Sequence, residues 1–264
     1  IRIVVRGLVD TSDNVGLMET PFATSNDENL PGEPIFGEKI GKFPESWQVR
    51  WLATTGSTND DLLEAGRAGA PDRVALVTDY QSAGRGRLDR TWVAPDGANL
   101  LVSLLLRNVP RFPHALTHAV ALAAAAASET VVASNGGKVE IDLKWPNDLL
   151  ADQQKLGGVL CESFQTGQGA ITVVGVGLNI QGINVPEALS GRGATSLSNY
   201  LSAPGLPSPR ELADAVVSSI LMRIEAANVQ GIDSIFAEFS QRDAWLRRQV
   251  QVEPIARVRH ALER

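Results

Sequence analysis

The chain holds one cysteine, Cys161, in 264 residues, so an internal disulfide framework is excluded. Its three histidines are His114, His118 and His260. The first two stand four apart, but no Asp or Glu lies in the neighbouring turns, which argues against a structural metal site. No apolar run reaches the roughly 20 residues that span a bilayer. The longest, "AVALAAAAA" at 119–127, reads as a core helix. No charged-then-apolar leader with a cleavage site opens the chain. It starts at Ile1 rather than Met, which reads as a trimmed N-terminus, and the cytoplasm is the expected compartment. Positive charge is also in short supply: 24 Lys and Arg against 30 Asp and Glu give a net charge of -6. That balance opposes a broad nucleic-acid or acidic-membrane surface, so any positive site must be local. Neither GxxxxGK(S/T) nor GxSxG occurs, which removes the P-loop and the hydrolase elbow.

What remains is the composition of an ordinary globular chain, 44% hydrophobic and 20% charged, enough for one large domain or one large and one small. Residues 1–46 alternate weakly at first and then become rich in Pro, Gly, Ser, Asn and Glu, the mark of a loop-rich extension. Strands are expected at 47–55, 73–81, 98–108, 138–146, 155–164 and 170–180, with "NDLLADQQ" turning between the fourth and fifth. Ser57, Thr58 and Asn59 are N-cap candidates for a short helix, 113 to about 134 is a long one, and 208–228 and 231–246 are two more. Strands gathered centrally with helices around them predict a mixed α/β (α+β) sheet layer rather than strict alternation.

Four stretches carry chemistry. "GRGRLDRTW" at 84–92 places Arg85, Arg87 and Arg90 around Gly84 and Gly86, with Trp92 at its end. Glycine lets a ligand approach the main chain and guanidinium binds phosphate or carboxylate oxygens, so the stretch fits an anion cradle; it equally fits a solvated turn. "LKWPNDLL" at 143–150 concentrates Lys144, Asn147 and Asp148 at a strand end, where α/β sites usually lie. Asn147 and Asp148 suit either a cap, or a site in which Asp148 serves a metal or ribose and Lys144 a phosphate. In "KLGGVLCES", Lys155 at a strand mouth is placed to neutralise a ligand carboxylate, and Cys161 reads as a small buried hydrophobe. In "VVGVGLNI", Gly175 and Gly177 share one face of a strand and leave room for helix packing or a flat ring, with Asn179 at its end.

Taken in order, "TTGSTNDDL", "DYQSAGRGRLDRTW", "LKWPNDLL", "KLGGVLCE", "VGVGLNI" and "GATSL" resemble the catalytic domain of biotin protein ligases over about residues 47–245. The resemblance implies a mixed central sheet flanked by helices, related to class II aminoacyl-tRNA synthetases and lipoate ligases. It also implies a two-step reaction with ATP and Mg2+: biotin becomes biotinyl-5′-AMP, and a lysine of a carboxylase's biotin carboxyl carrier domain takes the biotinyl group. Carried over by motif, Ser57, Thr58, Asn59, Gln81, Gly84, Arg85, Gly86, Arg87, Lys155, Gly157 and Gly158 look like the biotin pocket. Arg87, Arg90, Trp92, Lys144, Asn147, Asp148 and Asn179 look like the nucleotide side. Arg85, Arg87 and Lys155 are the implied catalytic cations, and Mg2+ is expected on the ATP phosphates with Asp148 as its protein ligand. Asp89 stands where the family loop usually has a second glycine. Residues 1–46 show no paired amphipathic helices, so a monofunctional ligase without DNA binding is expected, monomeric or homodimeric. Residues 246–264 suffice for one strand and a basic segment, a remnant or start of the family's SH3-like domain. A lipoate or octanoate ligase and a non-catalytic biotin-adenylate sensor are the rival readings.

Overall fold

A computed structural model describes residues 2–4, 38–39, 46–88, 90–107, 113–167, 169–182, 193–201, 209–246 and 251–253. The chain divides into two compact units, one made of Ile1–Asn29 with Trp245–Arg264, the other of Leu30–Ala244. In the first, β1 (Arg2–Val4) pairs antiparallel with β10 (Gln251–Glu253).

The second unit is built on an eight-stranded sheet. Its strands in chain order are β2 (Glu38–Lys39), β3 (Gln48–Thr55), β4 (Val74–Gln81), β5 (Asn99–Arg107), β6 (Ile141–Lys144), β7 (Asp148–Ala151), β8 (Gln154–Thr166) and β9 (Gly169–Asn179). Their spatial order is β2-β3-β4-β5-β9-β8-β7-β6. The β3–β4 pair is parallel and the helix α1 (Thr58–Arg67) makes its crossover; every other neighbouring pair is antiparallel. This is the expected mixed sheet with flanking helices.

The faces follow from the period of two. On β9, Val174, Val176 and Leu178 join the main core with α2 (Pro113–Ser134), α3 (Pro209–Gln230) and α4 (Asp233–Gln241), while Ile171 and Val173 turn to α1. α2 matches its expected span, and its run of buried alanines fits a helix enclosed by α3, α4 and the sheet. It is apolar and long enough to cross a membrane, but most of that stretch is buried inside the protein. His118 stacks on Phe239 at 4.0 Å in this packing, a core role; no metal cluster exists among the described residues.

Two local expectations change. "DLLA" is not a turn but the strand β7: Leu149 and Ala151 are buried in the core, and pairing on both sides overrides the turn propensity of Asp148. The turn is Asp152–Gln153, both with left-handed backbones (φ 48° and 64°). The last helix ends at Gln241, because Arg242–Ala244 run along β6 instead: Leu143 N–H donates to Arg242 O at 2.7 Å and Ala244 N–H to Leu143 O at 2.9 Å. That cover blunts a sheet edge. Between β7 and β8 the register shifts: Leu149 pairs with Gly157, but Leu150 pairs with Lys155. The extra residue, Leu156, is fully buried in the core.

Candidate functional site

The head of α1 meets the face of β4, β5, β8 and β9 that it covers. Ser57 is extended and its hydroxyl accepts the Asp60 N–H at 3.5 Å, so it caps the helix. Thr58 and Asn59 therefore fall in the first turn with their side chains buried against the sheet. Gln81 Oε1 accepts from the Thr58 N–H at 2.8 Å and its hydroxyl at 2.9 Å; Thr58 and Ser103 hydroxyls touch at 2.7 Å. Ser103 donates to Asn59 Oδ1 at 2.6 Å, and Asn59 Nδ2 donates to Glu162 Oε2 at 2.9 Å. The result is a neutral hydrogen-bonding wall that ends in a carboxylate.

The pair Gly175 and Gly177 does clear one face of β9, but this chain's own side chains take the room. A Cβ on Gly175 would run into Asn59 Oδ1, and one on Gly177 would lie 2.6 Å from Trp92 Cε2. The expected ring slot is thus filled by Asn59 and the Trp92 indole. Gly157 and Gly158, expected together in one pocket, face opposite ways because they are consecutive in a strand. A Cβ on Gly157 would strike the Gly177 carbonyl and Leu178, whereas Gly158 opens toward Asn147, Asp148 and Lys155.

The glycine-arginine stretch folds back on itself. Trp92 N–H donates to Gly84 O at 2.8 Å, Gly86 N–H to Arg90 O at 2.7 Å, and Arg85 bridges to Thr91. Leu88, at the tip, has φ 57° and is strongly exposed, as is Arg90; Asp89 lies outside the described residues. Arg85 Nη2 sits 2.6 Å from Glu162 Oε2 and 2.8 Å from Asp60 Oδ1. With the Arg85 side chain 37% exposed, each pair contributes at most about 1 kcal/mol, so its importance is geometric. Arg87 Nη1 reaches across to Asn147 Oδ1 at 3.2 Å.

Asn147 in turn donates to Val159 O at 3.0 Å, which pins the β6–β7 hairpin to β8. Asp148, opposite Gly158, lies 2.9 Å from Lys155 Nζ and 3.6 Å from Lys144 Nζ. Lys155 Nζ also stands 5.5 Å from the centre of the Trp92 ring. This corner therefore sets two cations, Lys144 and Lys155, on one carboxylate, with a third, Arg87, on the neighbouring Asn147 amide. Asn179 is more enclosed than a ligand contact requires. Its amide donates to Lys155 O at 3.3 Å and Thr195 O at 3.1 Å and accepts from Asn99 Nδ2 at 3.1 Å, tying the "GATSL" segment to the strand ends. Cys161 faces the core, and burial pushes its thiol up to about 11, which removes it as a nucleophile.

A sequence profile of the biotin/lipoate A/B protein ligase family matches residues 51–179, from β3 to the end of β9. The biotin–[acetyl-CoA-carboxylase] ligase of Mycobacterium tuberculosis is 33% identical over 213 residues, covering 78% of this chain and 74% of the relative. That of Paracoccus denitrificans is 30% identical, covering 77% and 82%. The chain belongs to the biotin protein ligase family. Among solved structures, the Aquifex aeolicus biotin protein ligase in complex with biotin and ATP superposes with a TM-score of 0.63 at 25% identity, over 75% of this chain and 78% of that one.

Within this ligase fold, motif reading missed Asp60, Asn99, Ser103 and Glu162. Ser103 had a signal: it is the one polar residue in "LLVSLLL", and a lone hydroxyl in an apolar strand needs a partner. Glu162 had no such signal, because Ser163 and Gln165 follow it in β8 and the segment reads as a strand end turning polar. Asn99 lies opposite Asn179 in register, a pairing visible only once β5 and β9 are neighbours.

Proposed function

We propose that this chain activates biotin with ATP and passes it to a lysine of a carboxylase's biotin carboxyl carrier domain. The observation that carries the reading is the corner where Lys144, Lys155 and Arg87 converge beside the neutral wall of Thr58, Asn59, Ser103 and Gln81. Biotin is an uncharged bicyclic head on a tail that ends in a carboxylate, so it needs neutral hydrogen-bonding partners at one end and cations at the other. In the first half-reaction a carboxylate oxygen attacks the α-phosphorus, a new O–P bond forms, the α–β phosphoanhydride breaks, and pyrophosphate leaves. Two anions must approach each other, and fixed cations aimed at the charge that develops lower that barrier. Lys155 and Lys144, steadied by Asp148, and Arg87, steadied by Asn147, fill that role. In the second half-reaction the acceptor amine attacks the acyl carbon, AMP departs, and the amine loses a proton.

The nucleotide belongs on the Trp92, Lys144, Asn147, Asp148 side, with Arg90 at the loop tip beside it and Asn179 supporting it from beneath. Biotin belongs against Thr58, Asn59 and Gln81, with Gly84, Gly86 and Gly158 at its edge. Both Asp148 oxygens already face lysines, so a Mg2+ would be held mainly by substrate phosphates rather than by a protein cage. That ion would neutralise phosphate charge. The acidic balance of the chain opposes nucleic-acid binding by this unit, and a cytoplasmic ligase is the reading that accompanies it. Residues 47–245 serve as the catalytic domain in this reading.

Biotin-dependent ATP–pyrophosphate exchange tests it. Wild-type protein should exchange only with biotin present, and Lys155→Ala should lose about 100- to 1000-fold in kcat with its thermal transition retained. Exchange driven by lipoate or octanoate instead of biotin would move the chain to the sister branch of the family, and wild-type turnover by Lys155→Ala would refute the role of that lysine.

A further inference from the structure

Arg85 belongs to the stretch first read as an anion cradle, yet its guanidinium is already taken. One nitrogen, Nη2, meets both Glu162 at 2.6 Å and Asp60 at 2.8 Å. Two carboxylates around one guanidinium leave that end of the site with an excess of negative charge. The opposite end, at Lys155, Lys144 and Arg87, has an excess of positive charge. Glu162 stands at the junction of three separate motifs, because the same Oε2 that meets Arg85 also accepts from Asn59 Nδ2 at 2.9 Å. It projects from the middle of β8, held by β9 pairing on one side, and is the least exposed member of the trio.

We propose that Glu162 is a positioning residue that turns Arg85 into a latch, fastening the glycine-arginine loop and the head of α1 to the sheet at one point. A consequence is polarity: the Glu162 end repels an anion and the Lys155 end attracts one. A substrate with a neutral head and an anionic tail can then enter productively in one direction only. This inference rests on the ligase reading for its substrate, but not for its geometry.

The test is a double-mutant cycle of Glu162→Gln, Arg85→Gln and the pair together, read by biotin-dependent pyrophosphate exchange. Glutamine keeps a carbonyl for Asn59 while losing the charge that holds Arg85. Glu162→Gln should lower kcat/KM for biotin by up to about fivefold and Arg85→Gln by up to about 30-fold, mainly through KM, and the double variant should be no worse than the poorer single. Limited trypsin digestion without ligand gives the second readout. Cleavage after Arg87 and Arg90 should accelerate in Glu162→Gln while the thermal transition stays in place. Multiplying effects in the double variant, a wild-type kcat/KM for Glu162→Gln, or unchanged loop cleavage would each overturn the proposal. If wild-type protein shows no biotin-dependent exchange, the ligase reading fails instead, and the trypsin comparison alone decides the latch.

Discussion

Gly177→Ala adds one methyl group at the tightest point of the nucleotide side. Its Cβ would lie 2.6 Å from Trp92 Cε2, 2.7 Å from Cζ2 and 3.0 Å from Nε1. Ordinary carbon contacts begin at about 3.5 Å, so something must retreat by roughly an ångström. β9 cannot, since it is hydrogen-bonded along its length to β5 and β8. The indole can: Trp92 is half-buried, and its Nε1–H has no hydrogen-bond partner among the described residues. Overpacking costs about 1–3 kcal/mol, and a side chain free to swing outward places this case near about 1 kcal/mol. In a chain of this size that lowers Tm by about 2–4 °C. The retreat also breaks the Lys155–indole contact, now 5.5 Å, worth about 0.5–1 kcal/mol. The KM for ATP should therefore rise by about two- to fivefold while the KM for biotin stays unchanged. Thermal unfolding and pyrophosphate exchange titrated separately with each substrate measure both. A variant whose ATP KM and Trp92 indole NMR signal both match wild type would refute the reasoning, because the methyl would then fit without moving the ring.

Cys161 should resist alkylation by iodoacetamide at pH 8 in the native protein and react readily once unfolded, because burial holds its thiol near 11. The sign for stability follows: between the ordinary thiol range and about 11 the unfolded chain has lost a proton that the native chain keeps, so stability should fall as pH rises through that window. Equal alkylation rates in the two states would contradict this. Glu129→Ala should lower Tm by roughly 5–10 °C, since Glu129 accepts from Arg242 at 2.7 and 2.9 Å and from the Ile141 N–H at 2.9 Å. A shift under about 2 °C would show that water replaces those bonds without loss.

Periodicity and composition carried much of the fold. α2 appeared where its alanine-rich stretch predicted it, the strands β3, β4 and β5 lay inside the expected apolar runs, and β8 and β9 overlapped theirs while extending beyond them. β7 was hidden, because a four-residue strand that starts at Asp148 directly after Pro-Asn has a local pattern that favours a turn, and only its neighbours on both sides make it a strand. In the site, residue types pointed to the right places but not to the right partners. Arg85 and Arg87 look equivalent in "GRGR", yet the first faces carboxylates from α1 and β8 while the second faces an amide across the hairpin. That difference depends on strands 60 to 77 residues away in sequence. Likewise Gly175 and Gly177 correctly signalled an emptied face, but not which side chains occupy it.

The added residue between β7 and β8 has a consequence for tolerance to insertion and deletion. From Gly158 onward, even-numbered positions of β8 look toward the site, and by that parity Lys155 would look into the core. It reaches Asp148 because Leu156 is bulged, which reverses the alternation at the start of the strand. A one-residue deletion there would keep the lysine, both glycines and every hydrogen-bonding group in the text of the gene, and still send the ammonium to the wrong side of the sheet. In a set of related genes, this stretch should accept changes of residue type more readily than any change in the count of residues.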